Sequence, residues 1–249
     1  SVAPDVAPDV APDVAPDGAP DVAPDVAHDV APDVAHDVAP DVIPPPFCDS
    51  TNPDLALCMR FESSGDPGLD ESFYGNDATA QNVLVVPGHD GNALKLSASS
   101  LVKVPDSTSL NVATLTIEAW INPSSMPSGT RAGILDNDGQ YGFFLMQNGA
   151  LRCSMSCAID TPAATVKAGA WQHVACTYDK ARVRVFLNGQ VKGEVACTGD
   201  LGTCNANGTA IGMNSPDGDV LVGLMDSLRI WRVGRTSSQI CEAAGLTCP

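Results

Sequence analysis

Side chains able to do chemistry gather in two short stretches of this 249-residue chain. One is Asp136-Asn137-Asp138-Gly139; the other spreads Asn214, Asp217 and Asp219 over a second turn-rich segment. Carboxylate and amide oxygens on loops suit a calcium-dependent sugar site, because calcium takes hard oxygen ligands. Asp, Asn and Gly are also the default turn formers, so two plain turns are the competing reading. Neither stretch carries the acid at the twelfth position that an EF-hand loop requires. Only four His are present, two of them at positions 28 and 36, and no Ser-His-Asp or metallohydrolase arrangement is found. Asn207-Gly208-Thr209 is a lone glycosylation sequon.

Nine cysteines offer a second chemistry. Cys153 and Cys157, Cys197 and Cys204, and Cys241 and Cys248 form short-spaced pairs around turn-rich segments, and Cys48 and Cys58 are further candidates. The spacing lacks the two-by-two layout of a zinc ribbon, and His is scarce, so disulfides and an exported protein are the better reading. An odd count leaves at least one thiol over; Cys176, inside an apolar strand pattern, is the candidate for a merely buried one.

Residues 1–46 repeat one phrase, Pro-Asp-Val-Ala, with proline at 4, 8, 12, 16, 20, 24, 32 and 40 and His replacing it at 28 and 36. No aromatic residue, Lys or Arg occurs there, so this stretch has too little apolar surface to offset the entropy of ordering a backbone. Proline fixes φ and biases its predecessor away from the α region, which predicts an extended polyproline II stalk on the order of 140 Å long. With three residues per turn, a period of four moves each proline a third of the way round the axis. Sugars on hydroxylated Pro4, Pro8, Pro12, Pro16, Pro20, Pro24, Pro32 and Pro40 would clothe all faces evenly. A flexible display linker is the alternative. The chain opens inside the repeat phase without a signal peptide, as a processed or truncated product would.

The net charge is −17, of which ten Asp of the repeat account for −10 and residues 47–249 for the remaining −7. With only 13 Lys and Arg, the chain is a poor partner for nucleic acid or an anionic membrane surface. No stretch approaches the ~20 apolar residues of a membrane span, so no membrane insertion is expected.

The elements that must position the candidate residues lie after Phe47. Short apolar alternations recur at 55–61, 93–96, 101–104, 115–121, 143–147, 150–154, 171–178, 182–187, 190–194, 210–213 and 223–231. Asp138-Gly139, Asn148-Gly149, Asn188-Gly189 and Asp217-Gly218 punctuate them as hairpin turns. Only 237–244 reads as helix. The pattern predicts one all-β domain over 47–249, a two-sheet antiparallel sandwich or jelly roll.

Several blocks carry a resemblance. Leu55-Ala-Leu, Phe61-Glu62 and Asp70-Glu-Ser-Phe-Tyr-Gly75-Asn76 come first, followed by Gly91-Asn-Ala-Leu-Lys-Leu96 and Leu115-Thr-Ile-Glu-Ala-Trp120. Trp171-Gln-His-Val-Ala-Cys-Thr-Tyr178, Val185-Phe-Leu-Asn-Gly189 and Gly223-Leu-Met-Asp226-Ser-Leu-Arg-Ile-Trp231 complete them. Together these resemble the laminin G-like jelly-roll family of the concanavalin A-like lectin/glucanase superfamily. The resemblance implies carbohydrate or protein binding at the loop rim. It also implies a structural calcium near Asp70, Asn76 and Asp226, for which the alternative is that the two acids hold turns. It implies a structural role for His173. The superfamily's glucanases hold two Glu on one strand face. Here Glu occurs only at 62, 71, 118, 194 and 242, never spaced to share a strand, so no enzymatic activity is expected.

Two functions are compatible with this reading. One is an extracellular structural protein, a glycan-bearing repeat rod tipped by a lectin-like head and built with copies of itself into a surface fibre. The other is a cell-surface adhesin whose head binds glycans, with the repeat as spacer.

Overall fold

The computed structural model describes residues 47–203, 207–216 and 218–248. The repeat with its candidate prolines Pro4 to Pro40, Cys204 and Asp217 lie outside the described residues.

Two antiparallel sheets face each other. The first has eight strands: β1 (Leu55–Met59), β3 (Leu84–Pro87), β4 (Asn92–Leu96), β6 (Leu115–Pro123), β11 (Gln172–Tyr178), β12 (Arg182–Leu187), β13 (Gln190–Ala196) and β15 (Gly223–Trp231). Its order is β13-β12-β11-β6-β15-β4-β3, with β1 also on β15. The second has seven: β2 (Thr79–Gln81), β5 (Leu101–Val104), β7 (Arg131–Asn137), β8 (Tyr141–Met146), β9 (Leu151–Ser154), β10 (Ala158–Asp160) and β14 (Thr209–Ile211). Its order is β10-β9-β8-β7-β14-β5-β2. A helix, α1 (Ser237–Ala243), follows β15 and starts with a capping box between Thr236 and Gln239. Among the described residues no helix is long and apolar enough to cross a membrane.

Period-two alternation sorts side chains between the faces. In β6, Leu115, Ile117, Ala119 and Ile121 enter the core with Val174, Cys176 and Tyr178 of β11. Val102, Ile134, Phe143, Leu145 and Leu151 meet them from the second sheet. Each such fully buried aliphatic or aromatic side chain contributes about 1.5–3 kcal/mol of transfer free energy.

Among the described residues four disulfides form, and two of them correct the sequence pairing. Cys153 bonds Cys176, and Cys157 bonds Cys197, so the pairs Cys153–Cys157 and Cys197–Cys204 do not form and Cys176 is no free thiol, whereas the short-spaced pair Cys241–Cys248 forms as read. The cause is alternation: Cys153 of β9 and Cys176 of β11 both point into the gap between the sheets, with Cα atoms 5.9 Å apart. Cys157, in the β9–β10 turn, reaches Cys197 just past β13, so both bonds staple one sheet to the other. Cys48 bonds Cys58 on β1, and Cys241 bonds Cys248 beyond α1.

The outer face of the first sheet buries a charge cluster. Glu118 of β6 is fully buried, and its Oε1 accepts from Trp231 Nε1 (2.7 Å) and Arg235 (2.6 Å) and pairs with Arg229 Nε (3.0 Å). Burial would raise its pKa, but the charges of Arg229 and Arg235 and the Trp231 hydrogen bond hold it below the ordinary carboxylate value. Segment 232–236 closes over the cluster: Thr116 donates to the Val233 carbonyl and accepts from the Arg235 amide. Phe47 covers the other side, its ring 3.9 Å from the Arg229 guanidinium carbon. His173 is 2% exposed, with Nε2 3.6 Å from Glu118 Oε2. Burial pushes its pKa down to about 4, so it is neutral at pH 7. Its Nδ1 has no hydrogen-bond partner among the described residues.

Candidate functional site

The outer face of the second sheet holds a cleft of about 340 Å³. Asp136 of β7 forms its floor, because a register shift between Gly133 and Leu135 turns Leu135 into the core and Asp136 outward. The Asp136 cross-strand partner is Gly142 of β8. A Cβ there would stand 2.5 Å from the Phe144 ring and 3.0 Å from Asp136 Oδ1, so glycine keeps the floor open. Asp136 Oδ2 accepts the Ser215 amide at 2.9 Å. Burial pushes its carboxyl up to about 6, against the Ser215 amide and the Arg131 charge, with Asp138 adding to the rise.

One wall of the cleft is cationic. The Arg131 guanidinium lies 4.2 Å from the centre of the Phe144 ring and donates to Asn214 Oδ1 at 2.7 Å. Stacking and this bond hold it in one orientation. Gln140 and Ser154 complete the lining, Gln140 donating to the Gly202 carbonyl at 3.1 Å. The cleft therefore presents carboxylates, an amide, a hydroxyl and a fixed guanidinium around a small space, which is the donor and acceptor mixture of a hydroxyl-rich ligand site.

The sequence candidates divide. Asp136, Asp138 and Asn214 come together in this cleft. Asn137 does not: alternation turns it inward, 1% exposed, where Nδ2 donates to Tyr141 Oη (3.0 Å) and Thr209 Oγ1 (3.1 Å). Asp136 and Asn137 also belong to a strand and not to a loop; only Asp138-Gly139 is turn. Asp138 Oδ2 accepts from the sequon residue Asn207 at 2.7 Å. Asp219 has a φ of 42° and lines a neighbouring cleft. Arg131, Gln140, Phe144 and Ser154 escaped the sequence reading. The usable signal was Arg131, a cation just before an apolar run that ends in Asp136.

The proposed calcium ligands hold turns instead. Asp70 Oδ1 accepts the amides of Cys58 (2.7 Å) and Ser72 (2.9 Å), while Oδ2 accepts Ser72 Oγ (2.7 Å) and the Asn76 amide (2.6 Å). Asn76 spends its Nδ2 on the Ala56 carbonyl and Ser109 Oγ, both at 2.8 Å. Asp226 closes a different turn: its Oδ2 accepts the amides of His89 (2.9 Å) and Asp90 (3.0 Å). Calcium takes six to eight oxygens. As arranged, these residues do not fit such a cage, and no group of three or more His, Cys, Asp or Glu able to hold a metal occurs among the described residues.

Several solved structures share this fold. Domain 4 of AbnA, a GH43 extracellular arabinanase from Geobacillus stearothermophilus in complex with arabinotriose, is 22% identical, with a TM-score of 0.63 over 77% of this chain and 98% of that one. The binding domain of Paraclostridial Mosquitocidal Protein 1 is 17% identical, with a TM-score of 0.63 over 77% of this chain and 52% of that one. A botulinum neurotoxin type C structure is 14% identical, with a TM-score of 0.61 over 77% of this chain and 51% of that one; cell entry of that toxin depends on interaction with two ganglioside molecules. This chain thus spans about half the length of the two toxin chains. No curated protein matches it. Residues 96–241 match the family Laminin_G_3, described as the concanavalin A-like lectin/glucanases superfamily, and on that match over more than half its length the chain belongs to this family.

Proposed function

We propose that the sandwich is the carbohydrate-binding, non-catalytic head of a secreted or cell-surface protein that carries it on the Pro-Asp-Val-Ala repeat. The observation that carries this reading is the cleft itself, with Asp136 on its floor and the Arg131 guanidinium locked by Phe144 and Asn214. One fold neighbour solved in complex with arabinotriose, and another from a toxin whose cell entry depends on interaction with two ganglioside molecules, support the ligand class. Four disulfides fit an oxidising compartment.

The test is a glycan array followed by calorimetry on the full chain. Charged hydrogen bonds contribute about 1.5–3 kcal/mol each, so Asp136→Asn and Arg131→Ala should each weaken binding roughly 10- to 100-fold. Full binding by both variants, or no glycan bound by the parent, sinks the reading.

The regular repeat favours a second component, a rod whose prolines carry sugars and which packs with copies of itself in a fibre. Intact-mass analysis showing hydroxyl plus pentose or hexose on the repeat peptides would support it, and unmodified peptide masses would exclude the sugar coat.

A further inference from the structure

The cleft has a neighbour. A second space of about 350 Å³ lies between residues 125–129, which lead into β7, and residues 218–222. Arg131 lines both spaces. The segment after β14 is likewise shared: Asn214 and Ser215 face the first cleft, while Gly218, Asp219 and Val220 face the second. That segment is tied to β7 by the Gly133 amide, which donates to the Asp219 carbonyl at 2.9 Å, and by a parallel bridge between Gly133 and Val220. Arg131, whose guanidinium is held by Asn214 and stacked on Phe144, is therefore the residue common to two clefts of nearly equal size.

The linings differ in a useful way. The first is polar, with Asp136 and Asp138. The second combines Ser125, Ser128 and Asp219 with the apolar walls of Met126, Pro127 and Val222. A sugar ring has hydroxyl edges and an apolar C–H face, so both surfaces are usable along one chain. Three carboxylates against one already engaged cation disfavour an anionic ligand.

We propose that the ligand is a neutral oligosaccharide lying across Arg131, with one part of the chain in each cleft, and not a single terminal sugar. This rests on the reading of the first cleft as a carbohydrate site. In the extended form, Arg131 is the shared contact, Asp136 anchors the first subsite and Asp219 the second.

Calorimetry on the full chain tests it with cello-, chito- and arabino-oligosaccharide ladders of one to five units, beside an oligogalacturonide ladder. For at least one neutral ladder, affinity should rise at least 10-fold from one unit to three or four, and the galacturonides should bind at least 10-fold more weakly. Asp219→Gly, which tolerates the positive φ at that position, should remove most of the gain with length and leave the shortest bound sugar unchanged. Met126→Ala provides a second variant in the same subsite, and thermal unfolding of both checks that they remain folded. Equal affinity for one and four units, a loss in the variants that is the same at every length, or preference for the galacturonides overturns the proposal alone. If no ladder binds, the carbohydrate reading fails and takes the proposal with it.

Discussion

His173 should make the head acid-labile by a calculable amount. Its imidazole is 2% exposed, and burial lowers its pKa from an ordinary 6.5 to about 4, with the Glu118 charge opposing and the charges of Arg229 and Arg235 assisting. Between those values the unfolded chain takes up a proton that the folded chain refuses. The associated stability is thus complete above pH 6.5 and is lost as pH falls toward 4. At 1.36 kcal/mol per pKa unit the full effect is about 3 kcal/mol, of which about 2.4 kcal/mol separates pH 7 from pH 4.5. With a urea dependence of about 2 kcal/mol per molar, the unfolding midpoint should fall by about 1 M from this residue alone. Tryptophan fluorescence can follow it, since the Trp120 ring lies 5.5 Å from the imidazole. The comparison is with His173→Gln, which cannot take the proton. Asp136, raised to about 6, works in the opposite sense, binding a proton in the folded state first, and it is common to both proteins. Parallel midpoint-against-pH curves for the two proteins between pH 7 and 4.5 would refute the reasoning.

Two further perturbations follow from the same structure. Replacing both Cys153 and Cys176 by Ala removes a cross-link of 23-residue separation; loop-closure entropy makes it worth about 3 kcal/mol, and calorimetric Tm should fall roughly 6–12 °C. Glu118→Gln leaves Arg229 under Phe47 and Arg235 against Trp231 uncompensated and should cost about 3–5 kcal/mol, read as a lowered denaturant midpoint; a loss below 1 kcal/mol would mean the cluster is solvated.

Much of the fold was legible because alternation is local. The stretches read as strands at 101–104 and 182–187 match β5 and β12 at both ends, and the Asn188-Gly189 turn joins β12 to β13, with both residues at positive φ. β7 was missed because Gly133 and the register shift before Leu135 break its alternation, so Asp136 and Asn137 read as turn residues. The short strands β2, β3 and β10 were missed as well, being three or four residues long and largely exposed.

The site was legible only in part. Residue type brought Asp136, Asp138 and Asn214 to notice, yet it could not separate outward Asp136 from inward Asn137, since a bulge decides which face each occupies. Nor could it show that Asp70 is saturated by four donors or that Asp226 belongs to a different turn.

Composition and periodicity by themselves settled that this chain folds as an antiparallel sandwich after Phe47, because strand pattern and turn chemistry act over a few residues. Which cysteines meet, and which residue lines two clefts, was decided by packing. β6 takes its neighbours β11 and β15 from 51 to 115 residues away, and Cys153 meets Cys176 only because two sheets close on one core. Such contacts depend on where distant elements come to rest, a quantity that no local pattern encodes.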